Sequence, residues 1–366
     1  MSLSQRVDAA IDTAMGAHIV GCVVLVHELG KRVYGRVAGF ADREAGIAVR
    51  EDTIFRLASV TKPIVAAAAL KMIDLGLLSL SDPVTKYLPF FTMCAPDGSV
   101  PTITIRHLLT HTSGISYAQI PEDVSRGSDP KDLMPLEENL RRLARGQLAF
   151  KPGEGWAYGM SIDVLGGVLG AINGDISDVE SVVGKYVTGP LGMTDTRFGV
   201  SDPAILAVPY GNVGADVPIR MGEPQLIVSP GGSNLMSPKR IFEPTAPQSG
   251  GSGMAGTAGD FMKLLDAIVV GDFLKPAARD AAFANQAGPY FTGRRPGEQF
   301  GYLGAVITDA KAAGWPRDGL IRWGGVWGNN WALDPKTQTI VVAYTNTMWE
   351  GSDGPFRDDI RDAVFG

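Results

Sequence analysis

A serine and a lysine stand three residues apart at the start of an apolar stretch. Ser59 is followed by Val-Thr-Lys62-Pro63 and then by an alanine-rich run that reaches Leu70. Proline is tolerated only in the first turn of a helix, so the pattern predicts a buried helix that begins near Ser59. Residues three apart share one face of a helix. A serine hydroxyl beside an amine that burial holds neutral would be an activated nucleophile.

Two other interpretations of these residues stay open at this stage. Ser59 is also a favourable N-cap residue, in which case Lys62 would lie in solvent. The chain carries a second copy of the pattern, Ser128-Asp-Pro-Lys131, in a polar stretch that no apolar helix follows. We interpret that copy as a loop. Because so short a pattern often occurs by chance, the nucleophile needs support from the rest of the chain.

A tyrosine provides the first support. Tyr158 ends the stretch Gly153-Glu-Gly-Trp-Ala-Tyr158 and stands just before an apolar segment that predicts a helix from Met160 to Asn173. A phenol beside a cationic amine ionises more easily and can then act as a general base. The alternative is an ordinary tyrosine at an interface between two parts of the fold.

A predicted strand edge that is rich in glycine and aromatic residues provides the second support for the nucleophile. The segment reads Trp323-Gly-Gly-Val-Trp327-Gly-Asn-Asn-Trp331. Glycines at a strand edge let a substrate approach the backbone closely. Backbone N–H groups at such an edge can complete an oxyanion hole, which stabilises the negative charge of an acyl-transfer intermediate. The alternative is a bulged strand whose tryptophans belong to the core.

Other hydrolytic machinery finds little support in the sequence. No serine stands in Gly-x-Ser-x-Gly, and the nearest match, Gly114-Ile-Ser116, lacks the second glycine. A Ser-His-Asp triad through His107 or His111 stays open, although the chain lacks the Gly-x-Ser-x-Gly turn that usually carries the serine of such a triad. His107 and His111 also have the spacing of zinc ligands, but no third ligand is evident. We therefore predict that they are helix-face or capping residues and that the protein needs neither metal nor cofactor.

The glycine-rich stretch from Ser249 to Gly256 lacks the lysine and the strand–helix context of a phosphate-binding loop.

The chain has 366 residues, 45% hydrophobic and 20% charged, with a net charge of −6. This is the composition of a large globular protein without a basic face for nucleic acid. Its cysteines, Cys22 and Cys94, are predicted to be free. Because the first residues form neither a signal peptide nor a membrane span, we expect a cytoplasmic protein that does not bind membranes.

Strand patterns lie near both ends of the chain, and helical patterns lie between them. We predict one α/β domain from residues 1–62 and 245–366, and a mainly helical domain from 63–244 with long loops at 200–244. The principal predicted elements are a helix at 3–16, a hairpin at 19–39, helices at 104–111, 135–146, 160–173 and 179–187, a helix at 257–269, strands at 301–308, 320–323, 329–333 and 339–345, and a C-terminal helix to 365.

Several of these motifs follow one another in a familiar order. Ser59-Val-Thr-Lys62 is followed by Leu108-Leu-Thr-His-Thr-Ser-Gly114, then Tyr158, then Trp323-Gly-Gly325. This order resembles the serine β-lactamase/penicillin-binding-protein superfamily, and within it the family VIII carboxylesterases, which are similar to class C β-lactamases. The resemblance spans nearly the whole chain. It implies an α+β fold of the β-lactamase/transpeptidase type, with an antiparallel sheet flanked by helices and an inserted, mainly helical lobe.

The resemblance also implies roles for individual residues. Ser59 would attack an ester carbonyl and become acylated, with Lys62 and Tyr158 sharing the role of general base. Tyr158 would then activate water for deacylation. The backbone N–H groups of Ser59 and Val326 would form the oxyanion hole, and Tyr117 would line the pocket. The remaining implied substrate-binding residues are Trp323, Gly324 and Gly325.

The chain departs from the β-lactamase pattern at two motifs. Tyr158-Gly-Met160 lacks the asparagine of Tyr-x-Asn, and Trp323-Gly-Gly stands in place of Lys-Thr-Gly. Tryptophan cannot supply the charge that receives a substrate carboxylate, and its apolar face suits an uncharged ester. We therefore expect a serine carboxylesterase that hydrolyses short-chain esters. The alternatives are an acyltransferase, an amidase, D-aminopeptidase or weak β-lactamase, and a binding or sensor protein without turnover. The oligomeric state is left open.

Overall fold

A computed structural model describes residues 1–127, 129, 133–211, 217–229, 232–290 and 295–366. Within these ranges the helices are α1 Leu3–Ala14, α2 Thr61–Asp74, α3 Ile105–Leu109, α4 Leu136–Leu143, α5 Ser161–Asn173, α6 Val179–Val183, α7 Ala258–Val269, α8 Pro276–Ala282, α9 Ala310–Ala313 and α10 Pro355–Phe365. The strands are β1 Gly21–Glu28, β2 Lys31–Asp42, β3 Ile47–Ala48, β4 Phe55–Arg56, β5 Tyr210–Gly211, β6 Ile219–Arg220, β7 Gln225–Ser229, β8 Gly232–Met236, β9 Ala255–Gly256, β10 Glu298–Phe300, β11 Ala305–Ile307, β12 Ile321–Gly325, β13 Asn329–Asp334 and β14 Thr339–Thr345.

The largest sheet in the described residues has eight strands in the order β10-β11-β12-β13-β14-β1-β2-β3. Every neighbouring pair in it is antiparallel. Strand β1 therefore lies between its sequence neighbour β2 and the distant β14. This is the predicted antiparallel sheet, and it is built from chain segments near both termini.

Helices cover both faces of this sheet. Side chains alternate between the two faces of a strand, so Val23 and Leu25 of β1 point to one side and Val24 to the other. The first pair joins a core that includes Phe261 of α7. Val24 joins a second core with Ile11 of α1. Burying both faces of β1 contributes about 1.5–3 kcal/mol for each large apolar side chain, which explains why this strand is an almost continuous apolar run.

Helix α2 runs through the middle of the helical part. Its residues from Thr61 to Leu70 are buried on all sides. The small alanines let α2 pack against α5 and α6. Helix α5 ends at Gly174, whose φ of +107° is the left-handed C-cap that the sequence predicts. The nucleophile motif thus stands at the start of a helix that its neighbours hold firmly.

Two element predictions need correction. Residues 200–244 are not simply long loops, because β5 pairs with β6 and β7 pairs with β8 in short hairpins. The predicted strand at 301–308 is instead part of the hairpin β10–β11. Glycines and prolines interrupt the first region and glycines interrupt the second, which hides the short strands from a periodicity search. The division into two domains remains a prediction. Cys22 and Cys94 are free, as expected.

Candidate active site

Ser59 lies in a single 3₁₀ turn, Ala58–Val60, immediately before α2. The turn is sharp, because Ala58 has a φ of +43° although it is not glycine. Such a left-handed residue costs about 1–3 kcal/mol and persists only where its surroundings hold it, which is common beside active sites. Ala58 is almost fully buried. The strained turn sets the position of the Ser59 hydroxyl at the wall of a cleft.

The structure brings Ser59, Lys62 and Tyr158 together. The Lys62 ammonium donates to Ser59 Oγ at 3.2 Å and to the Gly251 carbonyl at 2.7 Å. The Tyr158 hydroxyl donates to Ser59 Oγ at 2.7 Å. Lys62 Nζ also lies 4.6 Å from the centre of the Tyr158 ring. The serine oxygen therefore has a phenol and an amine within direct reach, the geometry that nucleophile activation requires.

The charge of Lys62 differs from the sequence-based expectation. Burial of the amine works to lower its pKa, but the acidic groups of Tyr117, Tyr158 and Asp163 outweigh burial and raise the pKa above its ordinary value. The expectation of an amine held neutral by burial was therefore wrong. Lys62 is an ammonium ion, and it stabilises negative charge that develops beside it.

Asp163 is a site residue that the sequence analysis missed. It lies on α5, fully buried, and accepts a short hydrogen bond from the Ser249 hydroxyl. The Gly251 N–H also donates to it. Burial raises the pKa of the Asp163 carboxyl above its ordinary value, against the lowering effect of the Lys62 charge. A side chain at Gly251 would overlap the Asp163 carboxylate. Asp163 therefore holds the turn whose carbonyl accepts from Lys62. The glycine-rich stretch was visible in the sequence, but nothing there linked it to Asp163.

Tyr158 is held by its backbone and by aromatic rings. The Ala157 N–H donates to the His111 carbonyl at 3.0 Å, and the Tyr117 N–H donates to the Tyr158 carbonyl at 3.2 Å. The ring centres of His111, Trp323 and Tyr117 lie 4.9, 5.4 and 5.7 Å from that of Tyr158. These contacts restrict the phenol to the side of the cleft where Ser59 lies.

His107 and His111 have structural rather than catalytic roles. His107 Nδ1 accepts from the Thr104 N–H at 3.2 Å and completes the cap of α3, as predicted. His111 is fully buried, and burial, aided by the Lys62 charge, lowers its pKa well below the usual range. Within the described residues Ser59 Oγ bonds with Lys62 and Tyr158, not with a histidine. The geometry thus supports no Ser-His-Asp triad.

Strand β12 closes the other side of the nucleophile turn. A side chain at Gly325 would overlap the Leu57 carbonyl, so glycine is needed for the strand to approach the turn. Asn329 on β13 donates to the Arg56 carbonyl at 2.6 Å and fixes the same contact from the next strand. Val326 follows directly, and its carbonyl accepts from the Trp349 N–H at 3.0 Å. These contacts bring Val326 to the cleft wall that also contains Ser59.

The cleft has a volume of about 490 Å³. Lys62 and Gly325 lie behind its surface and support it. Among the predicted site residues, those that line it are Ser59, Tyr117, Tyr158, Trp323, Gly324 and Val326.

Three remaining points concern the rest of the chain. Ser128 and Lys131, the second copy of the serine–lysine pattern, lie outside the described residues. In the part that is described, no group of three or more His, Cys, Asp or Glu side chains could hold a metal ion. None of the described helices has the length and apolar character needed to cross a bilayer.

An antiparallel sheet flanked by helices, with a serine beside a lysine and a tyrosine at its edge, defines a serine hydrolase with the β-lactamase/transpeptidase-like fold. Residues 7–364 match the family described as Beta-lactamase. The chain belongs to this family.

Its relatives include named esterases. Esterase EstB of Burkholderia gladioli is 44% identical over 100% of this chain and 95% of its own length. Lovastatin esterase of Penicillium rubens is 29% identical over 96% of this chain and 94% of its own length. The solved structure of EstCE1, described as a hydrolase with promiscuous acyltransferase activity, matches with a TM-score of 0.94 at 37% identity, covering 100% of this chain and 98% of that one.

Proposed function

We propose that this protein is a carboxylesterase that hydrolyses short-chain carboxylic esters through an acyl-enzyme on Ser59. The observation that carries the proposal is the contact of Ser59 Oγ with both Tyr158 and Lys62. The full-length similarity to a named esterase supports the same chemistry. We further assign the chain to the family VIII carboxylesterases, on its motifs, and we propose that it acts in the cytoplasm.

In acylation, Ser59 Oγ forms a bond to the ester carbonyl carbon and gives its proton to the Tyr158 oxygen. The proton that the Tyr158 hydroxyl holds in the resting contact passes to solvent before this step, and the Lys62 ammonium beside the ring stabilises the negative charge left on the phenol oxygen. The carbonyl oxygen becomes an oxyanion, which the N–H groups of Ser59 and Val326 would bind. The ester C–O bond then breaks, and Tyr158 passes the proton to the departing alcohol.

Deacylation repeats these steps with water. Tyr158 takes a proton from the water molecule as its oxygen bonds to the acyl carbon. The bond from that carbon to Ser59 Oγ then breaks, the acid leaves, and Tyr158 returns the proton to Ser59 Oγ. In both half-reactions the Tyr158 oxygen accepts and then donates the proton, while the Lys62 ammonium stays in place beside it. We therefore assign Tyr158 as general base and acid, and Lys62 as the cation that stabilises negative charge beside it.

Trp323 favours an ester over a substrate that carries a carboxylate. Its ring packs against Tyr158 and Phe300 at centre distances of 5.4 and 5.1 Å and is only 7% exposed. Where β-lactamases present a lysine at this motif, this cleft presents an apolar ring. A carboxylate placed against this ring would lose its water and find no charge on the ring itself in return.

The proposal is tested with p-nitrophenyl acetate and butyrate on the wild type and on Ser59→Ala, combined with intact-mass measurement of the trapped enzyme. Turnover in the wild type, its loss in Ser59→Ala, and an acyl mass that maps to Ser59 are expected. An inert wild type, or full activity in Ser59→Ala, would overturn the proposal.

An acyltransferase is the second candidate, and one observation favours it. The structural relative EstCE1 is described as having promiscuous acyltransferase activity. The acyl-enzyme is the same in both reactions, and only the acceptor differs. Product analysis with and without an added alcohol separates the two, because a transferase forms the new ester in preference to the free acid.

A further inference from the structure

A small apolar cluster lies beside the nucleophile, apart from the main cores. Its buried members include Ala58, Ile227, Met236 and Met348. All four also line the cleft that contains Ser59. We call Ile227, Met236 and Met348 the methionine wall. No step of the proposed mechanism uses it.

The hairpin β7–β8 supplies most of this wall. Side chains alternate along a strand, so neighbouring residues of β7 point to opposite faces. Ile227 is 5% exposed and turned toward the cleft, whereas Leu226 beside it is 53% exposed. On β8, Met236 is 6% exposed, and Leu235, which is 42% exposed, also reaches the cleft. The inward face of the hairpin thus covers the nucleophile turn.

The tetrahedral intermediate shows which part of an ester this wall would meet. Its carbon carries Ser59 Oγ, the oxyanion, the alcohol oxygen and the acyl chain. The oxyanion points to the N–H groups of Ser59 and Val326. The alcohol oxygen must face Tyr158, because that phenol delivers its proton. The acyl chain therefore points away from Tyr158. The methionine wall packs beside Val326 and the nucleophile turn, in an apolar cluster separate from the one that Tyr158 packs against.

We infer that the methionine wall is the acyl pocket of this enzyme and that it binds uncharged acyl groups larger than acetyl, including branched ones. Methionine side chains are flexible and adapt to apolar groups of different shape. The three residues of the wall are uncharged, so a charged acyl group would be desolvated there without a partner. This inference rests on the proposed function and adds its substrate class.

A second group of cleft-lining residues has a different chemistry, which fits the alcohol group. Tyr117, Trp156, Tyr158 and Trp323 line the cleft with aromatic rings. Trp156 and Tyr158 are stacked at 6.1 Å with an angle of 15° between their planes. These packed rings form a more rigid surface than the methionine wall. The two surfaces therefore discriminate different halves of one ester.

The experiment measures kcat/KM for two series of esters. The acyl series is p-nitrophenyl acetate, butyrate and pivalate, in which the alcohol stays constant. The alcohol series is p-nitrophenyl, phenyl and 1-naphthyl acetate, in which the acyl group stays constant. The variants are Ile227→Ala and Met236→Ala, with Met236→Leu to restore apolar volume. Leu226→Ala is the matched control, since it lies on the same hairpin but on the outer face.

We expect the wild type to prefer butyrate and pivalate over acetate. Met236→Ala and Ile227→Ala should reduce the butyrate-to-acetate ratio by about tenfold, as expected for lost contacts with apolar groups. Met236→Leu should largely restore the ratio, and Leu226→Ala should leave it unchanged. The order within the alcohol series should stay as in the wild type.

Opposite results would overturn the inference. A wild type that prefers the acetate ester would contradict the assignment of the methionine wall as an acyl pocket. Wall variants that change the alcohol series and not the acyl series place the leaving group against the methionines instead. In both cases turnover of p-nitrophenyl acetate at Ser59 would leave the proposed esterase function standing. No turnover of any ester by the wild type would overturn the function and the pocket together.

Discussion

The hydroxyl oxygens of Tyr158 and Ser59 lie 2.7 Å apart, although the residues are separated by 99 positions in the chain. The helical part of the protein supplies the phenol, and the turn that follows β4 supplies the serine. A contact this short between two distant segments needs support on both sides. For Tyr158 the support comes from the segment around His111, and for Ser59 it comes from β12.

Replacement of Tyr158 by phenylalanine removes the phenol oxygen and keeps the ring. We expect kcat to fall by about 10²–10⁴-fold, the usual contribution of a general acid–base group, with little change in stability. Tyr117→Phe is the matched control, because that ring also lines the cleft but is assigned no proton transfer. Steady-state kinetics of both variants give the answer. Equal effects of the two substitutions would contradict the role of Tyr158.

Replacement of Asp163 by asparagine removes the buried negative charge near Lys62. The pKa of Lys62 is raised by its acidic neighbours, so without Asp163 the ammonium should lose its proton at a lower pH. Activity that depends on the ammonium should then decline at lower pH on the alkaline side than in the wild type. Ser249→Ala, which removes a hydrogen bond and keeps the charge, should shift the profile less.

Asp163→Asn should also change how the free energy of unfolding depends on pH. A lysine whose pKa is raised by folding stabilises the fold below the pKa of the unfolded lysine, and this contribution disappears as pH rises through the folded pKa. Asp163→Asn should therefore weaken the loss of stability at alkaline pH. Urea unfolding at several alkaline pH values measures how the free energy of unfolding depends on pH in the wild type and in Asp163→Asn. An alkaline limb of kcat identical to that of the wild type would argue against any role of Asp163 in holding the charge.

Replacement of Gly325 by alanine places a methyl group against the Leu57 carbonyl. Either β12 or the nucleophile turn must move, and overpacking of this kind costs about 1–3 kcal/mol. We expect a lower melting temperature together with a large loss of kcat. Gly184→Ala is the control, because nothing lies within 4 Å of the added methyl group. Gly184→Ala should be neutral or slightly stabilising, by up to about 1 kcal/mol.

Replacement of His111 by phenylalanine keeps the aromatic packing and removes a titratable group. His111 stays neutral in the folded protein because burial and Lys62 lower its pKa. The unfolded chain gains a proton below the ordinary histidine pKa of about 6.5, so the wild type should lose stability as pH falls through that range. The free energy of unfolding of His111→Phe should depend less on pH there. Urea melts at neutral and mildly acidic pH measure the difference, and an unchanged slope would contradict it.

How much of this site could be predicted from sequence depends on the distance between partners. Ser59 and Lys62 lie one helical turn apart, so spacing alone predicted their contact. The C-cap at Gly174 is likewise a local feature. Tyr158 was found through its flanking pattern and a family resemblance, because nothing in the spacing links it to Ser59.

The features that were missed depend on long-range contacts. The charge of Lys62 was predicted wrongly because burial is visible in an apolar run, whereas the opposing Asp163 lies on another helix. The hairpin β7–β8 was predicted as loop because its short strands stand among glycines and prolines. Its inward side chains, Ile227 and Met236, become recognisable only when the fold places them over the nucleophile turn.

The position of β1 between β2 and β14 has a consequence for how the protein is made. The Val20 N–H bonds to the hydroxyl of Thr347, 327 positions later. During synthesis the hairpin β1–β2 therefore leaves the ribosome with one apolar edge uncovered until almost the whole chain has followed. Pairing across so long a segment is slow, and an exposed edge invites contacts with other chains. This part of the sheet is therefore complete only when β14, close to the C-terminal end of the chain, has paired with β1.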